Sequence, residues 1–237
     1  MDTIQVPYIN NDNISISLES LKLNPYTWSI NSVWEINVIE LFNKELSASH
    51  NPIVIDIGAQ SGSFTLLAKY HPTSQWYAFE CDNTNFRLLK DNLSINNIHN
   101  CSAHLLGISD KKSNEILRRD PNHFGFHTLG TNVQRFKEDR ASNIIVSTID
   151  LDSFVNENNI PYISFIKIDT EGCELNILKG AKNTILNFKP KILLEFNDVN
   201  LQQFNYSKDQ LCDFIVNELR YNIVGLYGEN LYIVPRT

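Results

Sequence analysis

The chain has 237 residues, 42% of them hydrophobic, which is enough to bury one sizeable core in a single domain with a short accessory segment. Its formal net charge of −7 argues against an unaided grip on nucleic acid, because that affinity leans on Lys and Arg neutralising phosphates. No apolar run approaches the roughly 20 residues of a membrane span and no charged-then-apolar leader opens the chain, so a soluble cytoplasmic protein without membrane contact is expected.

In chain order, residues 1–50 are the least regular: Ile14, Ile16 and Leu18 alternate like a strand, and Val33, Ile36 and the residues up to Leu46 look helical. They are expected to form a cap over the ligand side of a domain spanning 51–237. Ile53-Val54-Ile55-Asp56-Ile57, between Pro52 and Gly58, reads as a buried parallel strand. Phe64, Leu67 and Ala68 then recur at helical spacing. A second strand covers 76–79, and a helix capped by Asp82 or Asn83 buries Phe86, Leu89 and Leu93. A third strand is expected at 103–106, followed by a weakly patterned stretch whose 120–130 portion reads as a long loop. Lys111-Lys112 and Arg118-Arg119 read as a solvated strand or turn. Further strands at 143–149, 163–168 and 191–196 alternate with helices at 152–156, 173–186 and 208–219, and 221–226 with 230–234 suit an antiparallel hairpin. This order predicts an α/β, Rossmann-like, mostly parallel seven-stranded sheet with an antiparallel edge hairpin and helices on both faces.

Asp56-Ile-Gly-Ala-Gln-Ser-Gly62 stands between a strand and a helix. Its glycines permit a tight turn and close backbone approach to a ligand at the helix start. Gln60 occupies the place of a dinucleotide motif's second glycine, so a pyrophosphate fits less well. Glu80, about twenty residues on at the end of the next strand, is placed to accept hydrogen bonds from both hydroxyls of a ribose. Together these residues predict a nucleoside across the first two strand ends.

These segments resemble the class I methyltransferases and, more narrowly, the FkbM family. The resemblance rests on Ile55 to Gly62, Phe79-Glu80, Asn85-Phe86, Leu88-Leu89 and, above all, Phe165-Ile-Lys-Ile-Asp-Thr-Glu-Gly-Cys-Glu-Leu-Asn-Ile-Leu-Lys-Gly-Ala181. It covers roughly residues 52–197, and departs from the family pattern at Gln60, where Asn is usual, and at Cys81, where Pro often follows the acid. The resemblance implies methyl transfer from S-adenosyl-L-methionine to a hydroxyl, commonly of a sugar or a glycosylated metabolite. The donor would then be held by Asp56, Gly58, Ala59, Gln60, Gly62 and Phe64 around the turn, by Glu80 and Cys81, by Gly107 and by Asp169.

Strand ends face the ligand crevice in a parallel sheet, so Asp169 is expected beside the methyl donor, with Lys167 on the same strand face. Asp169, Lys167, Glu171 and His127 are the candidate catalytic residues: a carboxylate orients the acceptor hydroxyl or takes its proton, and an imidazole titrates near neutral pH. His123 is a second candidate base, Glu174 suits the positive end of a helix, and Lys167 is equally readable as a carboxylate's partner. Glu195 is a second polar wall or a metal ligand with Asp169; with no ligand cluster evident, no metal is expected. The expected partner is a small-molecule or glycan acceptor. An RNA ribose 2′-O-methyltransferase and a non-catalytic binding module are the alternatives, the first disfavoured by the acidic charge.

Overall fold

Short runs of Ile, Val, Leu and Phe form the central strands of the computed structural model, which describes residues 2–120, 123–131 and 142–236. The chain opens with a hairpin, β1 (Thr3–Pro7) and β2 (Asn13–Ser17), and two helices, α1 (Leu18–Leu23) and α2 (Ile36–Ser47). β3 (Ile53–Ile57), β4 (Gln75–Glu80), α3 (Asn83–Ile95) and β5 (Cys101–Leu105) follow. Next come β6 (Gly107–Ser109), β7 (Ser113–Arg119), β8 (Ser142–Asp150), α4 (Leu151–Glu157) and β9 (Phe165–Ile168). The last third holds α5 (Glu174–Gly180), α6 (Lys182–Phe188), β10 (Lys191–Glu195), α7 (Asp198–Gln202), α8 (Lys208–Asp213), β11 (Tyr221–Tyr227) and β12 (Asn230–Pro235).

The seven-stranded sheet runs β11-β12-β10-β9-β3-β4-β5. β5, β4, β3, β9 and β10 are parallel neighbours, while β12 lies antiparallel between β10 and β11. The chain crosses from one side of β3 to the other between β4 and β9, so the carboxyl ends of β3 and β9 flank the crevice where such sheets bind ligands.

Strand alternation sorts the core into two layers. Ile53, Ile55, Ile57, Ile166, Ile168, Ile192 and Leu194 pack with residues of α4, α5, α6 and α8. Val54, Trp76, Ala78, Phe165 and Leu193 face the opposite layer, with Leu89 and Leu93 of α3. Val6, Ile14, Trp28, Phe42 and Leu46 belong to that same cluster, so residues 2–50 share the sheet's core. Asn92 of α3 fastens them: its Oδ1 accepts from Ser17 N (2.9 Å), and its Nδ2 donates to Ser20 Oγ (2.9 Å) and Ser61 O (2.8 Å).

Backbone detail overrides side-chain periodicity at several places. The segment after the glycine turn is a 3-10 helix, Thr65–Tyr70. The helix expected over 173–186 breaks at Ala181. Gly180 lets it lie against β6, since a Cβ there would stand 2.2 Å from Ser109 O. The helix expected over 208–219 passes at Asp213 into a π-helical turn, Phe214–Glu218. The 143–149 strand lies outside the seven-stranded sheet: β8 pairs with β6 and with β7, an unforeseen strand, in a separate sheet of order β6-β8-β7. Of the long loop expected at 120–130, residues 121–122 lie outside the described residues, as do residues 132–141 of the weakly patterned stretch that follows it. No helix among the described residues is long and apolar enough to cross a membrane.

Candidate functional site

The turn after β3 is set by close packing. Gly58 has φ +81°, and a Cβ there would stand 1.8 Å from Asp169 O, so only glycine lets the turn approach the end of β9. Gly58 N and Ala59 N both donate to Phe79 O (3.0 and 2.9 Å), which ties the turn to β4. Gln60 follows in the left-handed region (φ 50°), aiming its backbone N–H at Glu80 Oε2 (2.9 Å). Asp82 N donates to Glu80 Oε1 (2.7 Å). The carboxyl group of Glu80 is thereby held by two backbone donors at the tip of β4. Burial, with the neighbouring Asp82 charge, still raises its pKa to about 7 against those donors.

Glu80 lines a narrow compartment with Cys81, Asn85, Leu106, Gly107 and Phe124. Asn85 Nδ2 donates to Phe124 O (2.8 Å), while its buried Oδ1 has no partner among the described residues. Burial raises the Cys81 thiol well above its ordinary pKa, so Cys81 is an apolar wall here. The compartment opens past Gly58, Gln60, Gly125 and Asp169 into a wider cavity, because these residues line both.

Asp56, Lys167 and Asp169 enter the wider cavity from the strand ends, and Glu35, Glu171, Glu195 and Glu229 from the connections around it. Asp56 and Lys167 are register partners on β3 and β9. Lys167 Nζ lies 2.8 Å from Asp169 Oδ2 and 5.6 Å from the Phe64 ring centre. Burial alone would lower the lysine's pKa, but Asp169, Asp56 and Glu35 outweigh it and hold the ammonium above its ordinary range. Lys167 therefore stays protonated and positions Asp169. Asp56 is fully buried; its Oδ2 accepts from Thr65 Oγ1, and its Oδ1 has no partner among the described residues.

The remaining expected residues divide. Phe64 lines the cavity but is chiefly core, edge-on to Phe42 at 4.9 Å. Gly62 (φ +100°) lines neither compartment; a Cβ there would press on Leu89 at 2.9 Å, so its role is packing. Gly107 lines the narrow compartment. His127 lines the narrow compartment that Asp169 also lines, but its contacts are with Asp82 and Asp120. Its Nδ1 is 3.7 Å from Asp82 Oδ2, its Nε2 is 3.4 Å from Asp120 O, and burial lowers its pKa. His123 does line the wider cavity, edge-on to Tyr26 at 4.8 Å. Glu174 is a brace: its Oε1 accepts from Thr170 N, Thr170 Oγ1 and Gly172 N. Arg119, read as solvated, pairs at 2.8 Å with the buried Asp82.

Sequence reasoning missed Glu35, Asn200 and the aromatic rim. Glu35 caps α2 from a left-handed conformation (φ 57°) and accepts from Asn230 Nδ2. Burial, then the Asp169 charge, raise its pKa to about 7. Asn200 Nδ2 bridges Glu171 Oε2 (2.8 Å) and Glu195 Oε1 (2.5 Å). Tyr26 and Trp34, each 61% exposed, line the cavity's outer wall. The one signal for Glu35 was an acid directly before an amphipathic helical run; nothing local marked Asn200.

Comparison with known proteins identifies relatives of the sequence and of the fold. The chain is 24% identical over 160 residues to "Methyltransferase 1" of Beauveria bassiana, covering 61% of this chain and 64% of that protein. Methyltransferase FkbM from Methylobacillus flagellatus shares the fold, with a TM-score of 0.52 at 21% identity over 78% of this chain and 43% of that one. A tRNA (uracil-54, C5)-methyltransferase of Pyrococcus abyssi, solved with S-adenosyl-L-homocysteine, gives a TM-score of 0.47 at 12% identity, covering 99% of this chain and 44% of that one. The chain thus spans less than two thirds of these relatives. The model of the methyltransferase FkbM domain matches residues 56–223, which include the glycine turn, Glu80, Lys167, Asp169 and Glu195, and the chain accordingly belongs to the FkbM methyltransferase family, whose methyl donor is S-adenosylmethionine.

Proposed function

We propose that the protein transfers a methyl group from S-adenosylmethionine to a hydroxyl oxygen of a sugar or glycan. The observation that carries this reading is the pair of joined compartments: one built around a strand-end carboxyl, the other acidic and rimmed by aromatic rings, meeting at Gly58 and Asp169. The donor's chemistry matches the acceptor atoms around the crevice. Glu80 suits two ribose hydroxyls, Asn85 Oδ1 suits the adenine amino group, and Asp56 Oδ1 suits an ammonium group such as the donor's methionyl end carries. Bound S-adenosylmethionine supplies an electrophilic methyl carbon, and the chain's task is to hold an oxygen in line with it and receive a proton.

A sugar fits the wider cavity chemically. Tyr26 and Trp34 offer flat apolar faces, and Glu35, Asn197, Asn200 and Glu229 offer hydroxyl partners between them. Asp169, held by Lys167, and Glu35 are the carboxylates that receive the hydroxyl proton. Radiolabelled methyl transfer to a panel of glycosides, with amines as controls, tests the proposal. Methyl ethers are the expected product. Methylation confined to amines or carbon would refute the acceptor class, and firm donor binding without transfer to any acceptor would support a binding module.

A further inference from the structure

Asp169, Glu171 and Glu195 come from the turn after β9 and the end of β10, and each offers a carboxylate oxygen within 4.8 Å of the others. Glu195 is only 8% exposed. Asn200 satisfies its Oε1, and its buried Oε2 has no hydrogen-bond partner among the described residues. A buried carboxylate oxygen without a donor costs free energy unless a proton or a cation meets it. We propose that these three carboxylates bind a divalent metal ion of the hard, oxygen-seeking class, of manganese or calcium size, on the acceptor side of the cavity.

The spacing suits that class. Calcium–oxygen bonds of about 2.3–2.6 Å place ligands on opposite sides of the ion roughly 4.6–5.2 Å apart, so a 4.8 Å spread closes around such an ion with little movement. All three donors are carboxylate oxygens, and no thiol or imidazole is among them, which disfavours zinc and copper. The groups that orient the donors are in place: Asn200 Nδ2 holds one oxygen of Glu171 and one of Glu195, and Lys167 holds one of Asp169. Lys167 is the only lysine or arginine among the described residues lining the cavity, against Glu35, Asp56, Asp169, Glu171, Glu195 and Glu229. Under the methyl-transfer reading, an ion here would hold the acceptor hydroxyl and make it more acidic. The binding claim stands without that reading.

The test uses the full chain and the metal alone. Terbium luminescence sensitised by Trp34 and Tyr26, which line the same cavity, and calorimetric titration with Mn2+ and Ca2+ should each report one saturable site. Glu195→Gln and Asp169→Asn should each weaken Mn2+ binding by about tenfold or more, since even outer-sphere losses cost that much. Cooperative thermal unfolding with a midpoint near that of the wild type would show that these variants are folded; if either unfolds, Glu171→Gln must show the same loss. Absence of saturable binding at millimolar metal, or equal affinity in wild type and Glu195→Gln, overturns the proposal. Metal binding without methyl transfer would leave the site standing and refute only the reading of the reaction.

Discussion

Replacing Glu80 by Gln tests the donor site through two separate signatures. The wild-type carboxyl accepts from Gln60 N at 2.9 Å and from Asp82 N at 2.7 Å. An amide must turn its NH2 toward one of those donors, leaving a clash or an unpaired N–H. It also removes the charge that two ribose hydroxyls would meet. Charge-assisted hydrogen bonds contribute about 1.5–3 kcal/mol each, so the loss of roughly 3 kcal/mol weakens S-adenosylhomocysteine binding about a hundredfold. The second signature is pH. Burial raises the Glu80 pKa from the usual 4.5 to about 7, so the folded protein holds a proton there between these values while the unfolded chain does not. The ligand-free fold is therefore favoured by this group below pH 4.5 and loses roughly 3 kcal/mol as pH rises through 7. Ligand binding needs the ionised form and runs the other way: affinity should fall about tenfold per pH unit below 7 and level off above it. Calorimetry from pH 5.5 to 8.5 on wild type and Glu80→Gln measures both signatures. A variant that binds within threefold of wild type, or a wild-type profile that is flat, would rule out Glu80 as the ribose's partner.

The other perturbations read the scaffold around the site. Gly58→Ala places a methyl where Asp169 O already stands; denaturant unfolding should show a loss of about 3 kcal/mol or more, together with loss of ligand binding. Lys167→Met removes the cation facing the buried Asp56 and the partly exposed Asp169; a loss of about 3–5 kcal/mol at pH 8, shrinking in mild acid, is expected from the same assay. Asn92→Ala strands Ser17 N and Ser61 O; it should cost about 2–4 kcal/mol and expose residues 1–50 to limited proteolysis. Unchanged proteolysis would contradict the role given to Asn92.

The sheet was legible because its strands are short apolar runs bounded by glycine, proline or an acid, as at 53–57 and 165–168. That Gly58, Glu80 and Asp169 line one crevice was legible because they occupy strand ends whose positions follow from that sheet. The wall of the wider cavity was hidden by long-range pairing. Glu35 meets Asn230 across 195 positions, and Thr27 meets Gln60 across 33. Trp28 is buried through Ser61, which its Nε1 reaches at 2.8 Å. Such contacts leave no periodic trace in residues 24–35. His127 looked like a base because its chemistry suits the task, but burial beside Asp82 and Asp120 decides where the ring points. β7 escaped notice because its exposed face alternates polar residues with Ile116, and only pairing with β8 makes it a strand.

A crystal structure of the protein with S-adenosylhomocysteine would decide where the donor lies. The ribose hydroxyls should lie on Glu80, the adenine between Cys81, Gly107 and Phe124, and the sulfur should point past Gly58 and Asp169 into the acidic cavity. An empty crevice, or a ligand whose sulfur faces away from Asp169, would contradict it.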